Sequence, residues 1–338
     1  MTVNLANLQV VIFSRNRHKQ LIESLRYWDQ CGIKTLVLHN TQDPLDSIDI
    51  PSTTEYLVHE GPFAERCEIA SHNLKFKFFI IASDDERYLP TALSKMVRQL
   101  EDSPELASVG GQAIGIMTHG LRYRTTLAYR SQIRYQNSAS DLQTRFDFHY
   151  ESGQNYSGAM YRVFRRDQFR SFLLLVSKFS NISTPYIFEV TAELFWTLIG
   201  PSKYVDEVFW VRNWVVPPIQ TGDWDRKQYF YEWSQNPKLE KEFESWKQMV
   251  IEEMEPLQSN ADIFTKIVFH RMKIEQNEQT RNQEFIKQKN LKIEKLTRAA
   301  ASFFRPKYQT NELYSELRRY GVVVRHDELM LALTSMTT

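Results

Sequence analysis

The sequence predicts an α/β fold, in which a mixed, mostly parallel sheet is flanked by helices and followed by a helical C-terminal region. Strand-length apolar runs alternate with amphipathic helical patterns over residues 8–111, and this βαβ order is typical of a doubly wound parallel sheet. The dipeptide Pro217-Pro218 then interrupts the chain. Beyond it, residues 221–308 are helical in composition and have almost no strand pattern.

The first βαβ unit lies at the start of the chain. Leu8–Phe13 is a short run rich in β-branched and aromatic residues, which favours a strand. An amphipathic helix follows, and its apolar positions are Leu21, Leu25 and Trp28. Gly32 occupies the position where helices commonly end on a left-handed residue. Lys34–Leu38 is predicted as the second strand.

The pattern continues with a third strand, a helix and a further strand. Lys77–Ala82 is the third predicted strand. Pro90 is suited to the first turn of a helix. The apolar residues of that helix recur at helical spacing: Leu93, Met96, Val97 and Leu100. Ala107–Gly111 is predicted as a strand that ends in a turn at its two glycines.

The middle of the chain is less regular. Residues 120–160 are rich in Tyr, Arg, Gln and Ser, and we predict a loop-rich wall over the sheet. Ile187–Ile199 is predicted as a helix, and Val205–Val216 as a weakly alternating strand. We place a domain boundary after Pro218, which gives a sheet domain at 1–218 and a helical region at 219–338.

The C-terminal region is basic. Residues 263–308 contain eleven Lys or Arg and four Glu, a net charge of 11 − 4 = +7. Residues 290–308 are therefore predicted either to contact anionic lipid as a peripheral membrane surface or to form an ordinary solvated helix. Two short helices complete the chain, one over Asn311–Tyr320, closed by Gly321, and one over Asp327–Leu333. We consider pairing of these helices between chains, and hence an oligomer, as one possibility.

Composition excludes several classes of protein. The 338 residues have a net charge of +1, and no base-stacking pattern accompanies the basic segment, so we expect no nucleic-acid partner. Two cysteines without metal-ligand spacing predict neither a disulfide framework nor a zinc site. The N-terminus has no signal-peptide pattern, and no apolar run approaches the roughly 18 residues of a membrane span. We therefore expect a cytoplasmic protein, with peripheral contact on the inner face of a membrane as the alternative location.

Polar residues follow two of the predicted strands. Ser14-Arg15-Asn16-Arg17 follows the first, and Asp84-Asp85-Glu86 follows the third. The first strand-to-helix turn has no glycine, so it is neither a dinucleotide turn nor a P-loop. Clustered carboxylates at the end of a buried strand suit Mg²⁺ or Mn²⁺ that also holds phosphate oxygens. The alternative is an acidic turn that only closes the strand.

The chain resembles the bacterial GT-A-fold glycosyltransferases related to glycosyltransferase family 2, in the subgroup with a D-D-D-type motif. The resemblance covers roughly residues 8–215 and rests on the order and spacing of several segments: VVIFSRNRHKQLIESLRYW, ERCEIA, FFIIASDDERYLPTAL, TAELFWTLIG and VFWVRNW. Two positions depart from the family pattern. Leu38-His39-Asn40-Thr41 stands where the family usually has Asp-Gly-Ser, and Glu86 stands in place of a third Asp.

The resemblance implies a GT-A-type sheet and a metal-assisted, inverting transfer of sugar from a nucleoside-diphosphate-sugar donor to a glycan or lipid-linked acceptor. It places Asp84 and Glu86 on the metal. The residues implied in nucleotide binding are Ser14, Arg15, Asn16, Arg17, Arg66, Asp84, Asp85 and Arg212. For the arginines the alternative is a solvated surface position, or a salt bridge for Arg212; for Ser14 and Asn16 it is capping of the first helix.

Inversion requires a carboxylate that deprotonates the acceptor hydroxyl. The resemblance points to Glu193, and Glu189 lies one helical turn earlier on the same face. A second class of function remains open, in which the sheet domain is a non-catalytic scaffold that assembles through its basic C-terminal helices. The resemblance also implies a role in surface-polysaccharide or glycoconjugate synthesis.

Overall fold

The structure, a computed structural model, describes residues 5–119, 122–128, 160–180, 186–213, 233–254, 265, 308–309 and 311–336. Its strands are β1 (Leu8–Arg15), β2 (Lys34–Asn40), β3 (Thr54–Val58), β4 (Phe78–Ala82), β5 (Arg87–Tyr88), β6 (Ser108–His119), β7 (Arg122–Ala128), β8 (Val163–Arg165), β9 (Ser202–Asn213) and β10 (Tyr308–Gln309). Its helices are α1 (His18–Gln30), α2 (Phe63–His72), α3 (Pro90–Asp102), α4 (Arg166–Ser177), α5 (Tyr186–Ile199), α6 (Glu240–Glu253), α7 (Asn311–Arg319) and α8 (His326–Ser335).

The strands form one ten-stranded mixed sheet in the order β10-β7-β6-β8-β4-β1-β2-β3. Strand β9 lies off this path and pairs with β5 and β6. Strands β3, β2, β1 and β4 are parallel, and β9 is parallel to β6. Strand β8 is antiparallel to both β4 and β6, so β6 and β9 run in the same direction as β4. The predicted α/β class is confirmed.

Alternating residues of the central strands separate two hydrophobic cores. In β1, Val10 and Ile12 pack with α1, α3, α7 and α8 on one face, whereas Val11 packs with α2, α4, α5 and α6 on the other. Both faces are apolar because helices cover both, as in parallel sheets generally. The sheet is thereby fixed from two sides, and its carboxyl-terminal edge carries the polar residues.

The predicted elements of the first third are confirmed, with two additions. Leu21, Leu25 and Trp28 are fully buried on α1, and Pro90 is the first residue of α3. The sequence analysis missed β3 and α2. Strand β3 is half-exposed over most of its length, and it therefore lacks the apolar run of a buried strand.

The strand predicted at Ala107–Gly111 does not end in a turn. Strand β6 continues to His119, and Gly110 and Gly111 lie inside it. A Cβ atom on Gly111 would approach the carbonyl oxygen of Glu207 to 2.8 Å. The glycine is required because β9 passes so closely, not because the chain reverses its direction.

The C-terminal residues belong to the same core as the first strand. Tyr308 and Gln309 extend the sheet beside β7. The apolar residues of α7 and α8 are buried in the core on the α1 face: Leu313, Leu317, Leu329, Ala332 and Leu333. These faces are occupied within the chain, and pairing of α7 and α8 between chains stays a prediction. The division at residue 218 stays a prediction.

No helix among the described residues combines the length and apolar composition that would let it cross a bilayer. The basic segment 290–307, and most of the loop-rich region 120–160, lie outside the described residues. Their predicted roles therefore stay predictions.

Gly32 provides a test of how α1 ends. Its φ is +68°, and no atom lies within 4 Å of the position that a Cβ would take. Gly32→Ala should therefore lower the free energy of unfolding by about 1 kcal/mol, because of backbone strain alone. Gly32→Asn should lower it less, because asparagine tolerates the left-handed region. Urea denaturation measures both, and equal losses would contradict the role of φ.

Candidate active site

The carboxyl ends of β1, β2, β4 and β9 meet at one edge of the sheet, because these strands share one direction. Open α/β sheets bind their ligands at this edge. Two of the four ends carry the polar runs that the sequence analysis singled out. The structure brings together Ser14 near the end of β1, Arg17 in the loop after it, the three acids after β4, and Arg212 near the end of β9.

A left-handed residue directs the loop after β1. Asn16 has φ +51°, and its backbone N–H donates to the carbonyl of Asn40. Asparagine is one of the few residues that adopt this conformation readily. Arg17 follows as the N-cap of α1, with no side-chain capping hydrogen bond. Neither Ser14 nor Asn16 therefore caps the helix, and the turn brings Arg17 over the acids.

Arg17 links the first two acids. Its guanidinium lies 2.8 Å from Asp84 Oδ1 and 2.7 Å from Asp85 Oδ2. The hydroxyl of Ser14 donates to the other oxygen of Asp84 at 2.6 Å. Burial raises the pKa of Asp84 to about 6, while Arg17 and Ser14 oppose the shift. These contacts join β1 to β4 at the edge of the sheet.

Glu86 is buried, with 4% of its surface exposed. Its Oε1 lies 3.4 Å from Arg212 Nε, and its Oε2 has no hydrogen-bond partner among the described residues. Burial raises the pKa of Glu86 to about 8, against the opposing effects of Arg212 and Trp210. In this structure Arg212 therefore forms a salt bridge, which the sequence analysis gave as the alternative to nucleotide binding.

Two aromatic residues that the sequence analysis did not assign to the site cover Glu86. Tyr161 stacks on Trp210 with ring centroids 4.3 Å apart, and the Arg212 guanidinium lies over the Trp210 ring. Burial is the main cause that raises the pKa of Tyr161, and the nearby Glu86 adds to the shift. These rings come from distant parts of the chain; Trp210 lies in the quoted segment VFWVRNW, but the sequence analysis singled out only Arg212 there.

The two candidate bases lie in different surroundings on α5. The charge of Glu189 contributes to the raised pKa of Tyr161, after the larger effects of burial and Glu86. Glu189 is half-buried. Glu193 is 6% exposed, and its carbonyl accepts a hydrogen bond from the Thr197 hydroxyl. The role of either residue as the base stays a prediction.

Arg66 is buried behind the strand ends. Its Nη1 donates to the carbonyls of Ser14 and Leu38, at 3.0 and 3.3 Å, and thereby ties β1 to β2. Burial lowers its pKa to about 10, and Arg15 adds to the shift. Its Nε has no hydrogen-bond partner in the described part of the chain. The predicted contacts of Arg15 and Arg66 with phosphate stay predictions.

His39 stands at the end of β2, where the family usually has an acid. It is fully buried; its Nδ1 lies 2.6 Å from the Tyr56 hydroxyl, and its Nε2 has no partner among the described residues. Burial lowers the pKa of His39 to about 4, and the nearby His18 and Arg66 add to the shift. A neutral imidazole therefore replaces a carboxylate at this corner.

The described residues contain no cluster of three or more His, Cys, Asp or Glu that could hold a metal by itself. The role of Asp84 and Glu86 as metal ligands stays a prediction, since Arg17 and Ser14 contact the two oxygens of Asp84. The buried Oε2 of Glu86 has no hydrogen-bond partner among the described residues, which suits Mg²⁺, an ion commonly held by one or two carboxylates plus phosphate oxygens.

Comparisons with known proteins give little beyond the fold. No protein-family model matches the chain, and no curated protein sequence matches it. One solved structure that does match is the crystal structure of S. aureus TarS, at 10% identity and a TM-score of 0.43. The match covers 61% of this chain and 36% of the other, so this chain spans about a third of that TarS chain. Similarity this distant bears on neither activity nor substrate.

The buried His39 predicts a specific pH dependence of stability. Its pKa falls from 6.5 in the unfolded chain to about 4 in the folded one. Between these values the unfolded chain binds a proton that the folded chain excludes, so the free energy of unfolding falls as the pH falls. Well above pH 6.5 His39 has no effect on the pH dependence of the free energy of unfolding.

The comparison with His39→Gln isolates that residue, because all other titrating groups are common to both proteins. Wild type should lose up to about 1 kcal/mol more per pH unit than the variant between pH 6 and pH 5. Urea denaturation at pH 7, 6 and 5 gives the two slopes. Parallel slopes would show that His39 is not held neutral.

Proposed function

We propose that this chain is a glycosyltransferase that moves a sugar from a nucleoside-diphosphate-sugar to a hydroxyl acceptor, with inversion at the anomeric carbon. The observation that carries the proposal is the cluster of Asp84, Asp85 and Glu86 with Arg17 and Arg212 at the carboxyl edge of the parallel strands. A mixed α/β sheet with acids at this position agrees with the family resemblance in the sequence. The setting that the resemblance favours is surface-polysaccharide or glycoconjugate assembly on the cytoplasmic face.

The acids and arginines supply opposite halves of the chemistry. A departing nucleoside diphosphate gains negative charge, which Arg17 and Arg212 are suited to stabilise as guanidinium forks on phosphate oxygens. Asp84 and Glu86 would hold Mg²⁺ or Mn²⁺, and such a cation stabilises the same leaving group. Arg17 now binds Asp84 and Asp85, so it would exchange one of these carboxylates for the diphosphate.

Glu189 is our choice for the general base, in preference to Glu193. Its carboxylate would take the proton of the acceptor hydroxyl as that oxygen forms a bond to the anomeric carbon. The bond from the anomeric carbon to the diphosphate oxygen breaks on the opposite side, and its electron pair leaves with the diphosphate. Glu189 suits this step because it is half-buried and can be reached by an acceptor, whereas Glu193 is almost fully buried.

The donor class can be tested by thermal shift with UDP, GDP, CDP and dTDP, with and without Mn²⁺. A nucleotide that binds only the folded chain adds about 2.7 kcal/mol to stability at a hundredfold excess over its Kd. We expect one nucleotide to raise the Tm in a metal-dependent way. Glu86→Gln should abolish the metal-dependent part, and Glu101→Gln, on the exposed side of α3, should retain it.

The absence of a shift with all four nucleotides in wild type would contradict the transferase proposal. That result would favour the scaffold, because the acids are already neutralised by arginines within the chain. A shift that survives in Glu86→Gln would keep nucleotide binding but remove Glu86 from the metal site.

The choice of base is tested by two matched substitutions on α5. Glu189→Gln should lower turnover by about 10²- to 10⁴-fold, the usual contribution of a general base. The nucleotide-induced Tm shift should be unchanged, because the base does not contact the diphosphate. Release of nucleoside diphosphate from the donor measures turnover, with Glu193→Gln as the matched comparison. The opposite ranking of the two variants would assign the base to Glu193.

A further inference from the structure

The last described segment of the chain, residues 321–336, contacts both elements that carry the acids and Arg212. We call it the C-terminal clamp. It begins at Gly321, whose φ of +68° reverses the chain after α7. Val323 then pairs with β9 through its main chain: its N–H donates to Asp206 at 2.9 Å, and its carbonyl accepts from Val208 at 2.8 Å. Strand β9 carries Arg212 at its far end.

The clamp is anchored by burial as well as by hydrogen bonds. Leu329, Ala332 and Leu333 of α8 are fully buried, in the core that also contains β1 and α3. Well-packed interiors resist small displacements, since every shift opens voids or creates overlaps. The end of α8 is therefore held at a fixed position, close to the strand that follows the acids.

Arg87 connects this fixed point to the acids. Its Nη1 donates to the carbonyls of Asp84 and Glu86, at 3.1 and 2.8 Å. Its Nε donates to Ser335 Oγ at 3.1 Å, and its Nη2 lies 3.3 Å from the Ser335 carbonyl. One planar group thus joins the backbone of residues 83–89, which we call the acid loop, to the last turn of α8.

The surroundings of Arg87 make this joint rigid. The side chain is 1% exposed, and the described residues give it no carboxylate within salt-bridge distance. Burial lowers its pKa, and the nearby Tyr27 and acids only partly oppose that shift. A buried guanidinium that loses an acceptor leaves a charged donor unsatisfied, which is among the more costly defects of a core. The group is therefore strongly held to these carbonyls.

The clamp also fixes the other end of the acid loop. Glu328 accepts hydrogen bonds from the backbone N–H of Thr91, at 3.1 Å, and from its hydroxyl. Thr91 is in the first turn of α3, which begins at Pro90 directly after β5. A carboxylate at this position satisfies a free helix N–H and complements the helix dipole.

We propose that the C-terminal clamp positions the acid loop, with Arg87 and Ser335 as positioning residues for Asp84 and Glu86. The guanidinium sets the path of the backbone from Asp84 to Glu86, and this path decides where both carboxylates point. The expected effect of the clamp on nucleotide binding rests on the proposed function. Its expected effect on the backbone of residues 83–89 is independent of that function.

The experiment is hydrogen–deuterium exchange with mass spectrometry on the full chain. Ser335→Ala removes the Oγ acceptor and keeps the fold, and it should raise the exchange rate of peptides covering 83–89 by about fivefold, as expected for one net hydrogen bond. Arg87→Lys keeps the charge but cannot reach all the acceptors, so it should raise the rate further. The reporting amides include that of Glu86, which donates to Ser83.

Ser202→Ala is the matched control. The hydroxyl of Ser202 lies 2.9 Å from that of Ser108, buried at the opposite edge of the sheet. It should raise exchange locally and leave 83–89 unchanged. The clamp would be refuted if Ser335→Ala left exchange over 83–89 at the wild-type rate, or if Ser202→Ala raised it equally.

The consequence for the site is measured as the Kd of whichever nucleotide raises the Tm of wild type. Ser335→Ala should raise that Kd several-fold more than Ser202→Ala does, when the two variants are compared at an equal loss of Tm. Equal weakening would show that Ser335 acts on stability alone and would overturn its positioning role. If no nucleotide binds wild type, the proposed function fails, and exchange over 83–89 decides the clamp by itself.

Discussion

The burial of Asp84 and Glu86, on either side of the half-buried Asp85, is the constraint on which the rest of the structure depends. Each buried carboxylate costs several kcal/mol unless a partner compensates it, and each partner here comes from a different element. Arg17 reaches Asp84 and Asp85 from the loop after β1, and Arg212 reaches Glu86 from the end of β9. The strands must therefore share one direction and one edge. The same contacts concentrate the charged groups of these acids and arginines on the side of the site that faces Tyr161 and α5.

The parts of the site that the sequence revealed are those close to strand ends. The acids and the Ser14–Arg17 run each follow a short apolar strand, and parallel strands bring such ends together. The orientation of Arg17 was not predictable, because it depends on the left-handed φ of Asn16. The sequence analysis also assigned no role in the site to Tyr161 or Trp210, although Trp210 lies in the quoted segment VFWVRNW. Aromatic residues in an apolar stretch are usually core, and only three-dimensional packing places these two against Glu86.

Other errors have equally specific physical causes. Gly110 and Gly111 resemble a turn in sequence, but the close approach of β9 requires them inside a strand. Strand β3 escaped notice because the sheet edge leaves it half-exposed. The C-terminal helices were recognised, yet their position was not. Helical periodicity shows that α8 has an apolar face, but it cannot show that this face completes a core begun at Leu8.

The joint between Arg87 and Ser335 spans 248 positions of the chain, and this separation affects how the protein is made. At about 5–20 residues per second, a ribosome needs on the order of tens of seconds to pass from one partner to the other. During that time the guanidinium has no final acceptor and stays hydrated. The acid loop of a nascent chain is thus incompletely held until the last helix emerges. An unfinished chain would therefore lack the contacts that hold residues 83–89 until synthesis has passed α8.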